Sequence, residues 1–235
     1  MAAGVGSRLG ARTQTKPKGF VCVGGIPMIV RSIENLFAVG IEKIIIGTGY
    51  QSVYYEELAK TYPQIVCCLS DKYAETNSMY TLYCCGDLIG NDDFLLLESD
   101  LIYERKAITS LIDSNYPNVM LVTPPVKQQD GYYLFAGDEG FLSDCTTDIG
   151  QKDDCKGELV GIHKLSNHTY QRLHHWYSGI WQQQPHLGYE YALLEISRQG
   201  EKIHLTKENI FWYEIDDEID LLYAEKNILP HIEKT

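Results

Sequence analysis

No acidic residue precedes Glu34 in this sequence of 235 residues, although Asp and Glu together number 32 against 20 Lys and Arg. The formal net charge of −12 argues against binding to nucleic acid or to an anionic membrane surface, because the summed field repels both. We therefore expect no nucleic-acid partner. Positive charge is concentrated in the segment before Glu34, at Arg8, Arg12, Lys16 and Lys18. For Arg12 and Lys16, a solvated loop and a role in anion binding explain this charge equally well.

Membrane-spanning and secretory features are also missing. No apolar run approaches the roughly 20 residues that a transmembrane helix needs, and no charged segment followed by an apolar one opens the chain. The 7 cysteines are an odd number; Cys67 adjoins Cys68 and Cys84 adjoins Cys85, without the spacing of a zinc site. These features favour reduced thiols in a hydrophobic core, and they predict a cytoplasmic protein without membrane insertion.

Linkers and internal repeats are absent, so we predict a single domain over residues 1–235. Short apolar runs at 43–47, 94–97 and 119–122 have the composition of buried parallel strands, and helical segments lie between them. This alternation predicts an α/β fold with a Rossmann-like, mostly parallel sheet and helices on both faces. Later in the chain, a hairpin around 137–139 predicts a β-rich insertion.

The N-terminal segment lacks both familiar phosphate-binding patterns, because its glycines do not have GxGxxG spacing and no Walker A sequence occurs. Gly4 and Gly6 still allow a tight turn that brings backbone amides close to an anion, and Arg8 and Lys18 add positive charge. We interpret the segment as a phosphate-binding loop, although a flexible basic arm explains the same residues. A loop of this kind normally follows a buried strand, so we expect that strand either to lie in residues before Met1 or to be reduced to a stub.

Several separated blocks of sequence resemble one family. Residues 2–9 (AAGVGSRL) followed by 16–18 (KPK) are similar to the AAGxGSRL and PK motif of nucleotidyltransferases of the sugar-phosphate type. Further blocks resemble those of bacterial cytidylyltransferases that act on phosphocholine or 2-aminoethylphosphonate: 47–50 (GTGY), 70–83 (SDKYAETNSMYTLY), 98–101 (ESDL), 213–216 (YEID) and 220–221 (DL). The resemblance runs from Met1 to about Ala224, and the blocks are specific only in combination.

The resemblance implies a fold of the nucleotide-diphospho-sugar transferase type, with a nucleotide-binding half at about 1–125. The half at about 126–235 is expected to bind the acceptor and complete the metal site. CTP and 2-aminoethylphosphonate are the expected substrates, and Mg²⁺ is the expected cofactor. A phosphonate oxygen would attack the α-phosphorus of CTP in line while pyrophosphate leaves, so the site must hold anions together and neutralise developing charge.

The same resemblance assigns roles to individual residues. Lys18 is expected to contact the phosphates at the reacting centre, and Arg8 to hold the departing β and γ phosphates. The remaining positions are Ala2, Ala3, Gly4, Gly6, Ser7, Arg8, Asn77 and Ser78 for the nucleotide, Asp100 and Asp216 for the metal, and Tyr132, Tyr189 and Glu190 for the acceptor.

Structural roles compete with three of these assignments. Asp100 follows a buried strand at the end where open α/β sheets bind ligands, yet Asp also commonly caps the turn after a strand. Asp216 or Asp217 can serve as the N-cap of a last helix. Asn77 can cap a helix as well as pair with cytosine, and both roles are compatible.

The choice of acceptor rests on residue type. A quaternary ammonium such as choline is held by aromatic faces, whereas a primary ammonium needs carboxylates or carbonyls. Where the phosphocholine enzymes tend to carry tryptophan, this chain has Tyr132 and the pair Tyr189 and Glu190, which favours 2-aminoethylphosphonate.

Three alternative functions stay open. Phosphocholine is the alternative acceptor, followed by a sugar 1-phosphate with UTP or dTTP as the nucleotide. The alternative outside this class of enzyme is a non-catalytic nucleotide-sensing domain. The sequence does not indicate an oligomeric state.

Overall fold

The structure is a computed structural model that describes residues 1–126 and 131–232. Its strands are β1 (Cys22–Val23), β2 (Ile26–Pro27), β3 (Ile44–Thr48), β4 (Ile65–Leu69), β5 (Phe94–Leu97), β6 (Leu101–Tyr103), β7 (Val119–Thr123), β8 (Tyr133–Ala136), β9 (Leu142–Thr146), β10 (Gly157–Leu165), β11 (His204–Lys207) and β12 (Trp212–Glu214).

The α-helices are α1 (Met28–Ala38), α2 (Val53–Thr61), α3 (Ser78–Cys84), α4 (Gly86–Ile89), α5 (Lys106–Ile112), α6 (Asn167–Ser178), α7 (Tyr189–Arg198), α8 (Glu218–Tyr223) and α9 (Leu229–Ile232). Four short 3-10 segments cover Ser7–Arg12, Lys18–Phe20, Asp138–Gly140 and Ile149–Asp154, and a π-helical turn covers Ala224–Ile228.

The long strand β10 organises the central sheet. It pairs antiparallel with β5, β7 and β8, while β11 pairs parallel with β7. Because β5 and β7 both oppose β10, those two strands run in the same direction. The strands β3 and β4 form a second parallel pair, and β8 with β9 forms the predicted hairpin. The predicted α/β class is confirmed. Within the central sheet, β10 runs antiparallel to its neighbours β5, β7 and β8.

Both faces of the central sheet are covered, because successive side chains of β7 pack alternately in two different hydrophobic clusters. Val119 and Leu121 pack in the hydrophobic cluster that contains α5, whereas Met120 and Val122 pack in the cluster that contains α3, α6 and α7. Side chains on a strand alternate between faces, so a run of buried apolar residues needs a partner on each side. The prediction of helices on both faces is confirmed.

Residues 1–3 form a short extended stub beside β3. The Ala2 amide donates to the Gly47 carbonyl over 2.8 Å, and the nitrogen of Met1 lies 2.7 Å from the Leu97 carbonyl oxygen. The stub therefore lies between β3 and β5, and it fixes where the following glycine loop begins. An apolar cavity of 410 Å³ adjoins the stub, and its walls include side chains of α1, β3 and β5.

Capping residues mark the start of α8 and the end of α1. The Asp217 carboxylate accepts the amides of Ile219 at 2.8 Å and Asp220 at 2.9 Å, so Asp217 is the N-cap of α8. Gly40 follows α1 with a φ of +86°, a conformation that glycine adopts without strain. Within residues 1–126 and 131–232, every helix falls short of the length and apolarity that crossing a membrane requires.

We predict that Asp217→Ala lowers the free energy of unfolding by about 1 kcal/mol, because two amide groups at the start of α8 lose their acceptor. Asp217→Asn is the matched control, since it keeps an oxygen that accepts the same amides. Urea denaturation measures both variants. Equal losses in the two would contradict a capping role.

Candidate active site

The N-terminal loop is held in place by packing on Lys18 and by hydrogen bonds to its backbone from the Thr13 hydroxyl and the Tyr50 amide. Gly6 has φ 65° and ψ 37°, the left-handed region that glycine tolerates best. A Cβ on Gly6 would lie 3.0 Å from the Cβ of Lys18, so the loop packs directly on that lysine. The Thr13 hydroxyl donates to the Gly6 carbonyl at 2.8 Å, and the Tyr50 amide donates to the Ala3 carbonyl at 3.0 Å. Neither Thr13 nor Tyr50 is in the predicted set, although Tyr50 belongs to the GTGY block.

Lys18 joins the two aspartates that the sequence singles out. Its Nζ lies 2.6 Å from Asp100 Oδ2 and 2.6 Å from Asp216 Oδ1, and Arg8 Nη2 lies 2.9 Å from the same oxygen of Asp216. Burial by itself would lower the pKa of Lys18, but the charges of Asp100 and Asp216 more than offset it and raise the pKa above its ordinary value. The lysine is therefore a permanent cation between two carboxylates.

Two further carboxylates, Glu98 and Glu214, adjoin this cluster. One carboxylate oxygen from each of Glu98, Asp100 and Glu214 lies within 4.8 Å of the others. Both glutamates stand two positions before a predicted metal aspartate, in ESDL and in YEID, which is a signal that the sequence carries. The predicted partner Asp216 is not part of this group of three carboxylates and is bound to Lys18.

The donor set fits a hard divalent cation such as Mg²⁺. Mg²⁺ takes oxygen ligands, commonly one or two carboxylates together with substrate phosphates. Among the described residues, Asp100 Oδ1 is a buried oxygen without a hydrogen-bond partner, which leaves it available as a ligand. Asp100 is therefore the aspartate best suited to bind the metal.

Asn77 and Ser78 lie at the start of α3 and are tied to the segment before α7. The Asn77 Oδ1 accepts the Ser78 amide at 2.7 Å, and the Asn77 Nδ2 donates to the His186 carbonyl at 3.3 Å. The Ser78 hydroxyl accepts the Tyr189 amide at 3.0 Å. Asn77 therefore has the capping role considered above. Ser78, which is predicted to bind the base, is hydrogen-bonded to the first residue of α7, the helix predicted to bind the acceptor.

The predicted acceptor residues surround the acidic part of the site. The buried Tyr189 hydroxyl donates to Glu98 Oε1 at 2.5 Å. Glu190 is 5% exposed; its Oε2 has no hydrogen-bond partner among the described residues, and burial raises the pKa of Glu190 to about 7. Tyr132 packs edge-on against Tyr191 with ring centroids 5.8 Å apart.

One cleft of 770 Å³ collects almost all of these residues. Every predicted site residue lines it except Ala2, which is buried beneath the loop and contributes its backbone to the stub. Arg12 does not line the cleft; it forms an ion pair with Glu218 at the start of α8. Lys16 does not line it either. The residues that the sequence predicts from distant blocks are therefore brought together at one site.

Comparison with known proteins gives concordant results. Residues 1–173 match the family described as the MobA-like NTP transferase domain. A 2-aminoethylphosphonate cytidylyltransferase of Lancefieldella rimae is 33% identical over 108 residues, which is 46% of this chain and 44% of that protein. A choline-phosphate cytidylyltransferase of Streptococcus pneumoniae is 32% identical over 119 residues, 51% of each chain.

A solved structure of CTP:phosphocholine cytidylyltransferase from Streptococcus pneumoniae has a TM-score of 0.78 to this chain at 22% identity, over 96% of this chain and 95% of the other. At that identity the likeness shows the fold. The matched segments cover 44%, 24% and 54% of the lengths of three curated relatives. The family resemblance predicted from the sequence blocks is confirmed.

We predict that Gly6→Ala destabilises the loop and displaces Lys18, because it adds a strained φ and a contact at 3.0 Å. Gly40→Ala is the matched control: it has the same sign of φ but open space around the added Cβ. Both variants should lose about 1 kcal/mol of unfolding free energy from the φ, and Gly6→Ala should lose measurably more. Urea denaturation that finds equal losses would show that the loop does not pack rigidly on Lys18.

Proposed function

Because the chain belongs to the MobA-like NTP transferase domain family, we propose that it is a cytidylyltransferase that transfers CMP from CTP to 2-aminoethylphosphonate, with pyrophosphate as the second product. The observation that carries this proposal is the position of Lys18 between Asp100 and Asp216, in the same cleft as Tyr189 and Glu190. A cationic loop and an acidic, tyrosine-lined wall therefore face one space of substrate size.

The proposed chemistry is an in-line displacement at the α-phosphorus. An acceptor phosphonate oxygen forms the new P–O bond while the bond to the pyrophosphate oxygen breaks, and pyrophosphate carries away the electron pair. The phosphonate is already an oxyanion near neutral pH, so no side chain has to remove a proton. Lys18 and Arg8 are expected to neutralise the charge that develops on the phosphates; solvent screens the largely buried Lys18 less than Arg8, whose side chain is 55% exposed.

Asp100 and the neighbouring carboxylates would hold Mg²⁺, which when bound would supply Lewis-acid stabilisation of negative charge on the phosphate oxygens of the nucleotide. We assign Asp100 as a ligand, with Asp216 as the second predicted carboxylate. Glu214 stands within reach of Asp100, so it is the candidate to complete the set, and Glu98 is assigned to the ammonium of the acceptor. Lys18 contacts both aspartates, so it lies next to the proposed metal ligands and can interact with the same phosphate oxygens as the metal.

The acceptor assignment rests on charge and hydrogen-bonding capacity. Glu98, Glu190 and Glu214 line the cleft near Tyr189, and Tyr132 completes this wall. A primary ammonium donates three hydrogen bonds and is strongly attracted by carboxylates, whereas a trimethylated ammonium donates none. Glu190 also offers a buried carboxylate oxygen without a protein donor, which an ammonium group would satisfy.

We predict that, with CTP and Mg²⁺, the protein releases pyrophosphate at least about tenfold more efficiently with 2-aminoethylphosphonate than with phosphocholine, judged by kcat/KM. Ethylphosphonate is the control acceptor, because it lacks only the amino group; it should also react less efficiently. A coupled pyrophosphate assay measures all three.

Each other result of this assay points to a different function. A preference for phosphocholine would overturn the acceptor assignment. Turnover of UTP or dTTP with a hexose 1-phosphate would identify a sugar nucleotidyltransferase. CTP binding without pyrophosphate release, with metal and all acceptors present, would identify a non-catalytic domain.

We predict that Asp100→Asn lowers kcat/KM by at least about 10³-fold, because an amide keeps the shape of the carboxylate but removes the charge that metal and Lys18 both need. Asp217→Asn makes the same chemical change next to Asp216 but outside the cleft, and it should retain activity. Substantial turnover by Asp100→Asn would contradict the metal assignment.

A further inference from the structure

A buried histidine stands behind the acidic wall of the cleft. His163 lies on β10 and is 0% exposed, and it does not line the cleft itself. Its Nε2 lies 3.0 Å from the Tyr189 hydroxyl oxygen, and the same hydroxyl is 2.5 Å from Glu98 Oε1. The hydrogen bond of His163 therefore reaches the wall of the cleft through Tyr189.

The protons of this chain of contacts can be placed from the groups themselves. A tyrosine hydroxyl has one proton, and here it is donated to the Glu98 carboxylate. Nε2 of His163 must then carry a hydrogen that it donates to the Tyr189 oxygen. Nδ1 is consequently without a hydrogen, which agrees with its having no hydrogen-bond partner among the described residues. Burial lowers the pKa of His163 to about 3, so the ring is neutral.

A β-bulge creates this arrangement. The register of β10 against β7 shifts between Leu159 and His163, and Gly161 within the shift has a φ of +79°. A Cβ on Gly161 would lie 2.7 Å from Glu98 Oε2, and the Gly161 carbonyl accepts the Glu98 amide at 3.0 Å. The bulge thus makes room for the Glu98 carboxylate on one side and sets His163 behind Tyr189 on the other.

We propose that His163 is a positioning residue for acceptor binding: it orients the Tyr189 hydroxyl, and Tyr189 in turn fixes the Glu98 carboxylate that faces the ammonium of the acceptor. The inference rests on the proposed function, since the ammonium belongs to the proposed acceptor. It adds to that function a residue that no substrate touches. The physical gain is preorganisation, because a carboxylate held by a fixed donor loses less freedom when it binds a cation.

The test is a double-mutant cycle with steady-state kinetics. His163→Phe keeps a ring but removes the donor, and it should raise KM for 2-aminoethylphosphonate about fivefold to tenfold while KM for CTP changes less than about twofold. Tyr189→Phe should do the same, and the double variant should be no worse than Tyr189→Phe alone. His163→Gln, whose amide can donate from a similar position, should recover most of the loss.

His174→Gln is the matched control. His174 is half-buried and stacks on Tyr83 with ring centroids 4.4 Å apart, and it is not among the residues that line the cleft. It should leave both KM values unchanged. Additive effects of His163→Phe and Tyr189→Phe, or an equal rise in KM for CTP, would overturn the proposal.

A readout without turnover separates this inference from the proposed function. ¹⁵N NMR of the imidazoles should show His163 as the Nε2–H tautomer, and Tyr189→Phe should shift its Nε2 signal; His163→Gln assigns the resonance. A finding of the Nδ1–H tautomer, or no response to Tyr189→Phe, would overturn the proposal even if His163→Phe fails to fold. If no acceptor is turned over while the NMR result holds, the proposed function fails and the link between His163 and Tyr189 stands.

Discussion

The ion triad of Lys18, Asp100 and Asp216 is the interaction on which the site depends. Its aspartates stand 82 and 198 positions from the lysine, and they reach it from the turn after β5 and from the segment before α8. Two carboxylates this close would repel each other, and a half-buried cation between them offsets both that repulsion and the cost of burial. Lys18 consequently fixes the N-terminal loop against the sheet, and Gly6 of the loop packs directly on this lysine.

Charge is divided between the two sides of the cleft. Arg8 and Lys18 belong to the N-terminal loop, whereas Glu190 lies on α7 and Glu98 accepts the hydroxyl of Tyr189 on the same helix. The proposed acceptor, with an anionic phosphonate at one end and an ammonium at the other, would complement that division. The hydrogen-bonded chain behind Glu98 adds rigidity, which matters because a mobile carboxylate would pair as readily with the cations of the loop as with a substrate.

Prediction from the sequence succeeded where the signal is local. Runs such as those of β5 and β7 are apolar at every position because both of their faces are buried, and the Asp217 cap is visible because a side-chain acceptor must lie within three residues of the amides it binds. It failed where the partner is remote. Glu98 carries its carboxylate to the cleft only because β10 bulges at Gly161, and no local pattern marks a buried histidine as the support of a tyrosine on another helix.

The sequence by itself determined the class of fold, through the local pattern of apolar runs, and the family, through several motif blocks in combination. The resemblance to that family assigned about half of the residues that line the cleft. The tertiary structure decided which of those residues meet: that Lys18 lies between the two aspartates, that Arg12 instead pairs with Glu218, and that Glu98 and Glu214 join Asp100. The physical reason is that contacts between distant segments are set by sheet pairing and packing, and these appear only once the chain has folded.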